Sequence, residues 1–168
     1  MTATNAAPAP ASLDQPYYGI GPVDAVKRFF AKYATFSGRA SRSEYWWVAL
    51  AFGIVYIVVG IIALVVGTST ATVQPDGTSE PGGAFAVPLV ILFLIGLVSL
   101  VPSIAISVRR LHDANFSGFL YFIHAVPYIG SFVILVLALM PSNPAGRRFD
   151  LGASPVVAPV QPTSPPAV

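Results

Sequence analysis

The sequence predicts an all-α membrane protein: a short interfacial amphipathic helix followed by three transmembrane helices. Three observations carry that prediction. Hydrophobic residues make up 55% of the 168-residue chain and charged residues only 10%, against about 25% charged in an ordinary soluble domain. Mean hydropathy is +0.72, so a water-facing fold of this size has too few charges to cover its exterior. Finally, three long stretches carry no Asp, Glu, Lys or Arg, and the basic residues gather near their ends.

Residues 1–20 and 151–168 are rich in Ala, Pro, Ser or Thr and read as disordered tails. The membrane domain occupies 21–150, and no internal repeat is evident. The N-terminus lacks a basic stretch followed by an apolar one, so the first span is expected to serve as the insertion signal.

An interfacial helix is expected over 22–36. Pro22 suits the first helical position, and Asp24 suits the positive end of the helix dipole. Val23, Val26, Phe30 and Tyr33 recur at spacings of three and four. Lys27, Arg28 and Lys32 occupy much of the rest, as if turned toward anionic headgroups. The alternative is a helix packed against the rest of the protein.

The first span, about 45–67, follows Ser41-Arg42-Ser43-Glu44, a capping box with Ser41 as N-cap. Tyr45, Trp46 and Trp47 stand where aromatic residues anchor at headgroup level. Trp46 to Val66 gives roughly 31 Å of helix, enough to cross the hydrocarbon core. A polar loop, 68–83, carries Asp76 and Glu80 but no Lys or Arg. The second span, about 84–108, contains Pro88 and Pro102 and stops at Arg109-Arg110. The third, about 116–140, contains Pro127 and Gly130, where a kink is expected.

Orientation follows the basic residues. With three crossings, Lys27, Arg28, Lys32, Arg39, Arg42, Arg109 and Arg110 fall on one side and Arg147 and Arg148 on the other. That predicts a cytoplasmic N-terminus and an external C-terminus in a multi-pass membrane protein. A re-entrant hairpin in place of the third span puts all nine on one side. The charge rule favours the hairpin, the length of the segment favours a crossing, and the crossing is the expectation adopted.

One charged constellation stands out: Arg39, Arg42 and Glu44 before the first span, with Arg109, Arg110, His112 and Asp113 after the second. Glu44 is expected to pair with Arg109 or Arg110, and Arg109 with Asp113 four residues on. These residues are candidates for binding a headgroup or partner, since paired arginines grip phosphate bidentately. The simpler role is to set orientation and cap helices. His112 and Asp113 are adjacent, so they do not face each other on a helix, and no nucleophile is marked. His112 and His124 lie twelve apart with no cysteine in the chain, which leaves no metal set. His124 is expected to be a neutral imidazole inside the third span. Gly53 and Gly60 on the first helix, and Ser99, Ser103 and Ser107 on the second, form small-residue stripes suited to helix packing.

The run Phe36-Ser37-Gly38-Arg39-Ala40-Ser41-Arg42-Ser43-Glu44-Tyr45-Trp46-Trp47 resembles the opening signature of the family called domain of unknown function 805. Arg109-Arg110-Leu111-His112-Asp113 with Ser117-Gly118 resembles its second signature, and Val126-Pro127-Tyr128-Ile129-Gly130 its third. The resemblance covers roughly 24–150 and implies a small bacterial inner-membrane protein, with no activity implied. It departs at Pro144–Asp150, where the family's Asn is missing.

The sequence therefore points to a membrane protein that is not an enzyme and needs no cofactor. It is expected to work through interaction, with membrane lipids (anionic ones included), a membrane-protein partner or a second copy, and not with nucleic acid. The alternative is a subunit of a small-solute transporter or channel, supported by the serine stripe and His124.

Overall fold

The computed structural model describes residues 12–150, which are mostly helical. The element order is α1 (Pro22–Ala31), α2 (Arg42–Ser69), β1 (Thr72–Val73), β2 (Ser79–Glu80), α3 (Ala86–Asp113) and α4 (Ile129–Leu139). Three 3₁₀ helices join them, at Gly83–Phe85, Gly118–Ala125 and Pro144–Phe149. The tail expected over 151–168 and residues 1–11 of the other lie outside the described residues.

Two helices are long and apolar enough to cross a membrane, α2 and the Gly83–Asp113 segment ending in α3, and only 11% of each apolar window is buried. Helices this apolar and this uncovered need an apolar solvent around them. Each of the two has 28 residues of α-helix, or about 42 Å, more than the ~30 Å hydrocarbon core. They run antiparallel. The capping box at the start of α2 is complete, with Ser41 Oγ accepting from the Glu44 amide at 3.2 Å and Glu44 Oε2 accepting from the Ser41 amide at 2.7 Å. The polar loop between them closes as a small antiparallel ladder, Thr72 opposite Glu80 and Val73 opposite Ser79. Its turn is held by Asp76, whose carboxylate accepts from the Thr78 amide and hydroxyl.

The third apolar segment departs from the expected continuous helix over 116–140. It is a hairpin of two short arms. The Gly118–Ala125 arm descends for eight residues and α4 returns for eleven. At about 2.0 and 1.5 Å per residue, both arms are roughly 16 Å long. The ends meet: the Asn143 amide donates to the Asp113 carbonyl at 2.8 Å. The segment therefore begins and ends at the same end of α3, and the expected separation of Arg147 and Arg148 from the other basic residues does not hold.

Local chemistry explains the reversal. Pro127 biases Val126 toward extended backbone (ψ 111°), and Tyr128 takes a positive φ of 62°. Gly130 lets the arms touch, since a Cβ there would overlap the Ile123 carbonyl oxygen and lie 2.7 Å from the His124 Cα. The tip satisfies its own amides, Val126 to the Ile123 carbonyl and Gly130 to the Val126 carbonyl, both at 2.9 Å. Irregular backbone at membrane depth requires such internal pairing.

Helix α1 is shorter than expected, and two of the basic residues expected to face headgroups are buried. Its buried residues are Ala25, Arg28 and Phe29, with Lys32 buried just beyond its end. Val23, Phe30 and Tyr33 are exposed. Phe29 packs on Phe52 of α2 with ring centroids 5.2 Å apart. The helix is thus packed on the protein with Arg28 inward, because buried carbonyls and a carboxylate are there to receive it, while Lys27 stays exposed. Residues 12–20, expected in the tail, lie along the same end of the fold and bury Ile20.

The small-residue stripes divide. A Cβ at Gly53 or Gly60 would meet nothing within 4 Å, so packing within the chain does not use those glycines. Ser99, Ser103 and Ser107 do face α2, lining a 170 Å³ pocket with Tyr45, Phe52 and Tyr56. Two of them bond within their own helix, Ser99 Oγ donating to the Ile95 carbonyl at 2.7 Å and Ser107 Oγ to the Ser103 carbonyl at 2.8 Å, and Ser107 also meets the Tyr45 hydroxyl of α2.

Candidate functional site

The charged constellation assembles at the end of the fold where α2 begins and α3 ends. It is a buried knot around two carboxylates. Glu44 forms one centre. Its carboxylate accepts from Arg28 Nε of α1, from the Ser41 amide at 2.7 Å and from the Tyr17 amide at 3.3 Å. Arg28 also donates Nη2 to the carbonyls of Ser12 at 2.9 Å and of Gln15. Glu44 was expected to pair with Arg109 or Arg110, but Arg28 takes that place. The pairing joins α1 and the N-terminal segment to α2.

Asp113 forms the second centre and has 0% of its surface exposed. One oxygen accepts from the Tyr18 hydroxyl at 2.9 Å. The other accepts from Arg110 Nη1 at 2.6 Å and from the Ser142 hydroxyl. Arg39 Nη1 stands 3.6 Å away, while Arg39 Nε and Nη2 donate bidentately to Asp150, both bonds 2.8 Å. The expected pair of Arg109 with Asp113 is replaced by Arg110, three residues before the carboxylate.

Arg110 and Arg42 also anchor the hairpin. Arg110 donates to the Ala138 carbonyl at 3.1 Å and to the Met140 carbonyl, and Arg42 donates to Met140 at 2.9 Å. The last carbonyls of a helix lack intrahelical partners and carry the negative end of its dipole. Two guanidinium groups at the end of α4 therefore hold the returning arm at this end of the fold.

His112 stacks on Phe149 (centroids 4.1 Å apart, rings 6° from parallel) and its Nδ1 is 3.1 Å from the Gly38 carbonyl oxygen. A carbonyl only accepts, so the proton of a neutral ring sits on Nδ1. Asp113 is occupied elsewhere and does not contact the imidazole. Gly146 fits where its Cβ would overlap the His112 carbonyl oxygen, so the 3₁₀ helix at Pro144–Phe149 packs directly on the end of α3. His124, on the descending arm, stacks on Tyr121 with centroids 5.2 Å apart.

Five buried cations (Arg28, Lys32, Arg39, Arg109, Arg110) share three carboxylates, Glu44, Asp113 and Asp150. Arg109 donates Nε to the Ala105 carbonyl at 3.2 Å, while its buried Nη2 has no hydrogen-bond partner among the described residues. Burial, then Arg109 and Arg28, push the Lys32 ammonium from 10.5 down to about 8, against the opposing pull of Glu44 and Asp14. Near neutral pH Lys32 is protonated in both folded and unfolded chains, so the fold carries the full cost of burying that charge. As pH rises from about 8 toward 10.5, the folded chain loses the proton first and the cost disappears. Lys32→Met is therefore expected to raise the melting temperature at about pH 7, with a smaller gain at about pH 10. An equal gain at both pH values, measured by thermal unfolding in detergent, contradicts the assignment.

Arg28, Tyr17, Tyr18, Ser142 and Asp150 belong to the knot although sequence reasoning did not select them for it. A buried cation on α1 facing a carboxylate at the start of α2 has no short-range signature. Asp150 had one usable signal, as a lone carboxylate beside Arg147-Arg148 after the last apolar stretch. The first two motif segments meet here, and the third lies at the far end of the hairpin. The first two supply Arg39, Glu44, Arg110 and Asp113.

Comparison with known proteins agrees with the membrane setting. The chain is 32% identical over 117 residues to inner membrane protein YhaI of Escherichia coli (strain K12), covering 70% of this chain and 84% of that one. It is 28% identical over 127 residues to inner membrane protein YhaH of the same organism, covering 76% and 93%. No solved structure matches. The family described as "Protein of unknown function (DUF805)" matches residues 33–151, from the end of the α1 region through the hairpin and its closing 3₁₀ helix, and the chain belongs to that family.

Proposed function

We propose that this protein is a non-enzymatic, two-pass protein of the bacterial inner membrane whose basic cytoplasmic face gathers anionic phospholipid headgroups. Both ends of the described chain would lie in the cytoplasm, with the 126–128 tip buried in the inner leaflet. One observation carries the reading: the bonds between Asp113 and Asn143, and from Arg42 and Arg110 to Met140, gather all nine basic residues at one end of the fold. The loop at the opposite end has only Asp76 and Glu80. That asymmetry is the cytoplasmic-face pattern.

The binding role shifts from the residues first expected to carry it. Arg39, Arg109 and Arg110 are buried and engaged inside the knot, so they build the face. Lys27, Arg42, Arg147 and Arg148 are exposed on it. Exposed basic groups near an anionic surface contribute about 1 kcal/mol each. The non-enzymatic reading rests on His112 and Asp113, the pair most suggestive of acid–base work, each being held by other groups. The serine stripe gives little support to a transport path, because Ser99 and Ser107 already bond to α3 carbonyls and Tyr45, and the pocket is small.

Native mass spectrometry of the purified full chain, with phosphatidylglycerol or phosphatidylcholine added, tests the proposal. Wild type is expected to retain phosphatidylglycerol preferentially, and the Lys27→Gln/Arg42→Gln/Arg147→Gln/Arg148→Gln variant to lose that preference. Equal retention of both lipids by wild type overturns it.

A further inference from the structure

An apolar groove separates α3 from the descending arm of the hairpin. Ile104 and Val108 of α3 form one wall, Phe119 and Phe122 the other, and the volume is about 670 Å³. That lies within the ~300–1,000 Å³ typical of ligand sites. The groove stays open because Gly118 sits tight on α3: a Cβ there would stand 2.6 Å from Val108 Cγ1 and 3.0 Å from His112 Nε2. The arm is thus pinned at its upper end, while Phe119 and Phe122 project outward, 81% and 70% exposed.

The geometry is directional. From Ile104 to His112 the groove follows α3 for about 12 Å. Its polar lining, His112 with Ser37 and Ser117, lies at the end beside the charged knot. At that rim the Arg148 guanidinium rests 4.7 Å over the Phe149 ring. With the His112 proton on Nδ1 and directed at the Gly38 carbonyl, Nε2 remains an acceptor on the groove wall beside Gly118. Because the hairpin arms are only about 16 Å long, the lower end opens near mid-bilayer.

We propose that this groove seats one acyl chain of an inner-leaflet phospholipid, with the phosphate at Arg148 and, where the headgroup carries a hydroxyl or N–H, that donor toward His112 Nε2. The chain's orientation, apolarity and charged upper end match the groove's. A peptide segment matches poorly, since the apolar walls offer no partners for its backbone amides at that depth. The inference rests on the membrane placement proposed above, but not on the anionic preference.

The test uses the full chain reconstituted in phosphatidylcholine vesicles. These are doped with a phospholipid carrying a photoreactive diazirine at one chain end, in phosphatidylglycerol and phosphatidylcholine versions. Labelled peptides are mapped after irradiation. Label is expected to concentrate on residues 104–122, and most of it to be lost in Ile104→Trp, which fills the groove. Phe122→Ala, which removes a wall at an exposed position, is expected to lower it as well. Labelling on the outer face of α2 around Leu50 should stay constant in both variants. Label spread evenly over the exposed apolar faces, undiminished label in both variants, or cross-linking of two protein copies through the groove overturns the acyl-chain site. Equal groove labelling by the two lipids, lost in Ile104→Trp, upholds the site and overturns the anionic preference alone.

Discussion

A cysteine placed at Ala145 is expected to react with a membrane-impermeant maleimide only after the inner membrane is permeabilised, whereas one placed at Gln74 reacts in intact spheroplasts. The chain has no cysteine of its own, so each label reports one site, and both positions are exposed. The expectation follows from the hairpin. The Asn143 amide meets the Asp113 carbonyl, and Arg39 holds Asp150, so the segment after α4 lies beside the start of α2. A third crossing would put residue 145 with the 70–80 loop, some 30 Å or more away across the hydrocarbon core. The two topologies give opposite labels. Reaction of both cysteines in intact spheroplasts would mean three crossings and would remove the shared face on which the proposed function depends.

The second large effect is expected at Asp113. In Asp113→Asn the side chain keeps a carbonyl for Tyr18, but Arg110 loses its carboxylate while remaining buried, and Arg39 is left with Asp150 alone. Removing one partner of a buried ion pair costs about 3–5 kcal/mol, most of it the desolvation of the charge left behind. At about 2–4 °C per kcal/mol for a chain this long, the melting temperature in detergent is expected to fall by roughly 10 °C. Asp24→Asn is the control. Its pair with Lys27, at 3.7 Å, is largely exposed, and such pairs contribute about 0–1 kcal/mol. If the two variants melt together, the knot is not what holds this end of the fold.

The knot also explains how a hairpin forms where segment length alone favours a crossing. A 25-residue apolar stretch can span a bilayer. Here Pro127 and the positive φ of Tyr128 divide it, Gly130 lets the arms close on each other, and arginines capture the carbonyls at the end of α4. Each cause is visible as a residue type in the sequence, yet the outcome depends on Arg42 and Arg110 reaching the same carbonyl from two different helices.

Much of this protein was legible from the chain alone. The two long helices, the Ser41–Glu44 capping box, the membrane setting and the family follow from local features: unbroken apolar length, residue spacing and motif. Such features act over a few residues, so spacing suffices to read them. Other properties were decided only by tertiary structure. Arg28 rather than Arg109 pairs with Glu44, and Asp113 is shared among groups from residues 18, 39, 110 and 142. Arg28 of α1 and Lys32 just beyond it turn inward although their spacing suggests groups directed at lipid headgroups. A Cβ at Gly53 or Gly60 would meet nothing within 4 Å among the described residues. The first three share one reason. A buried charge is stable only where partners from distant segments converge, and that convergence, not periodicity, set which way each charged side chain faces.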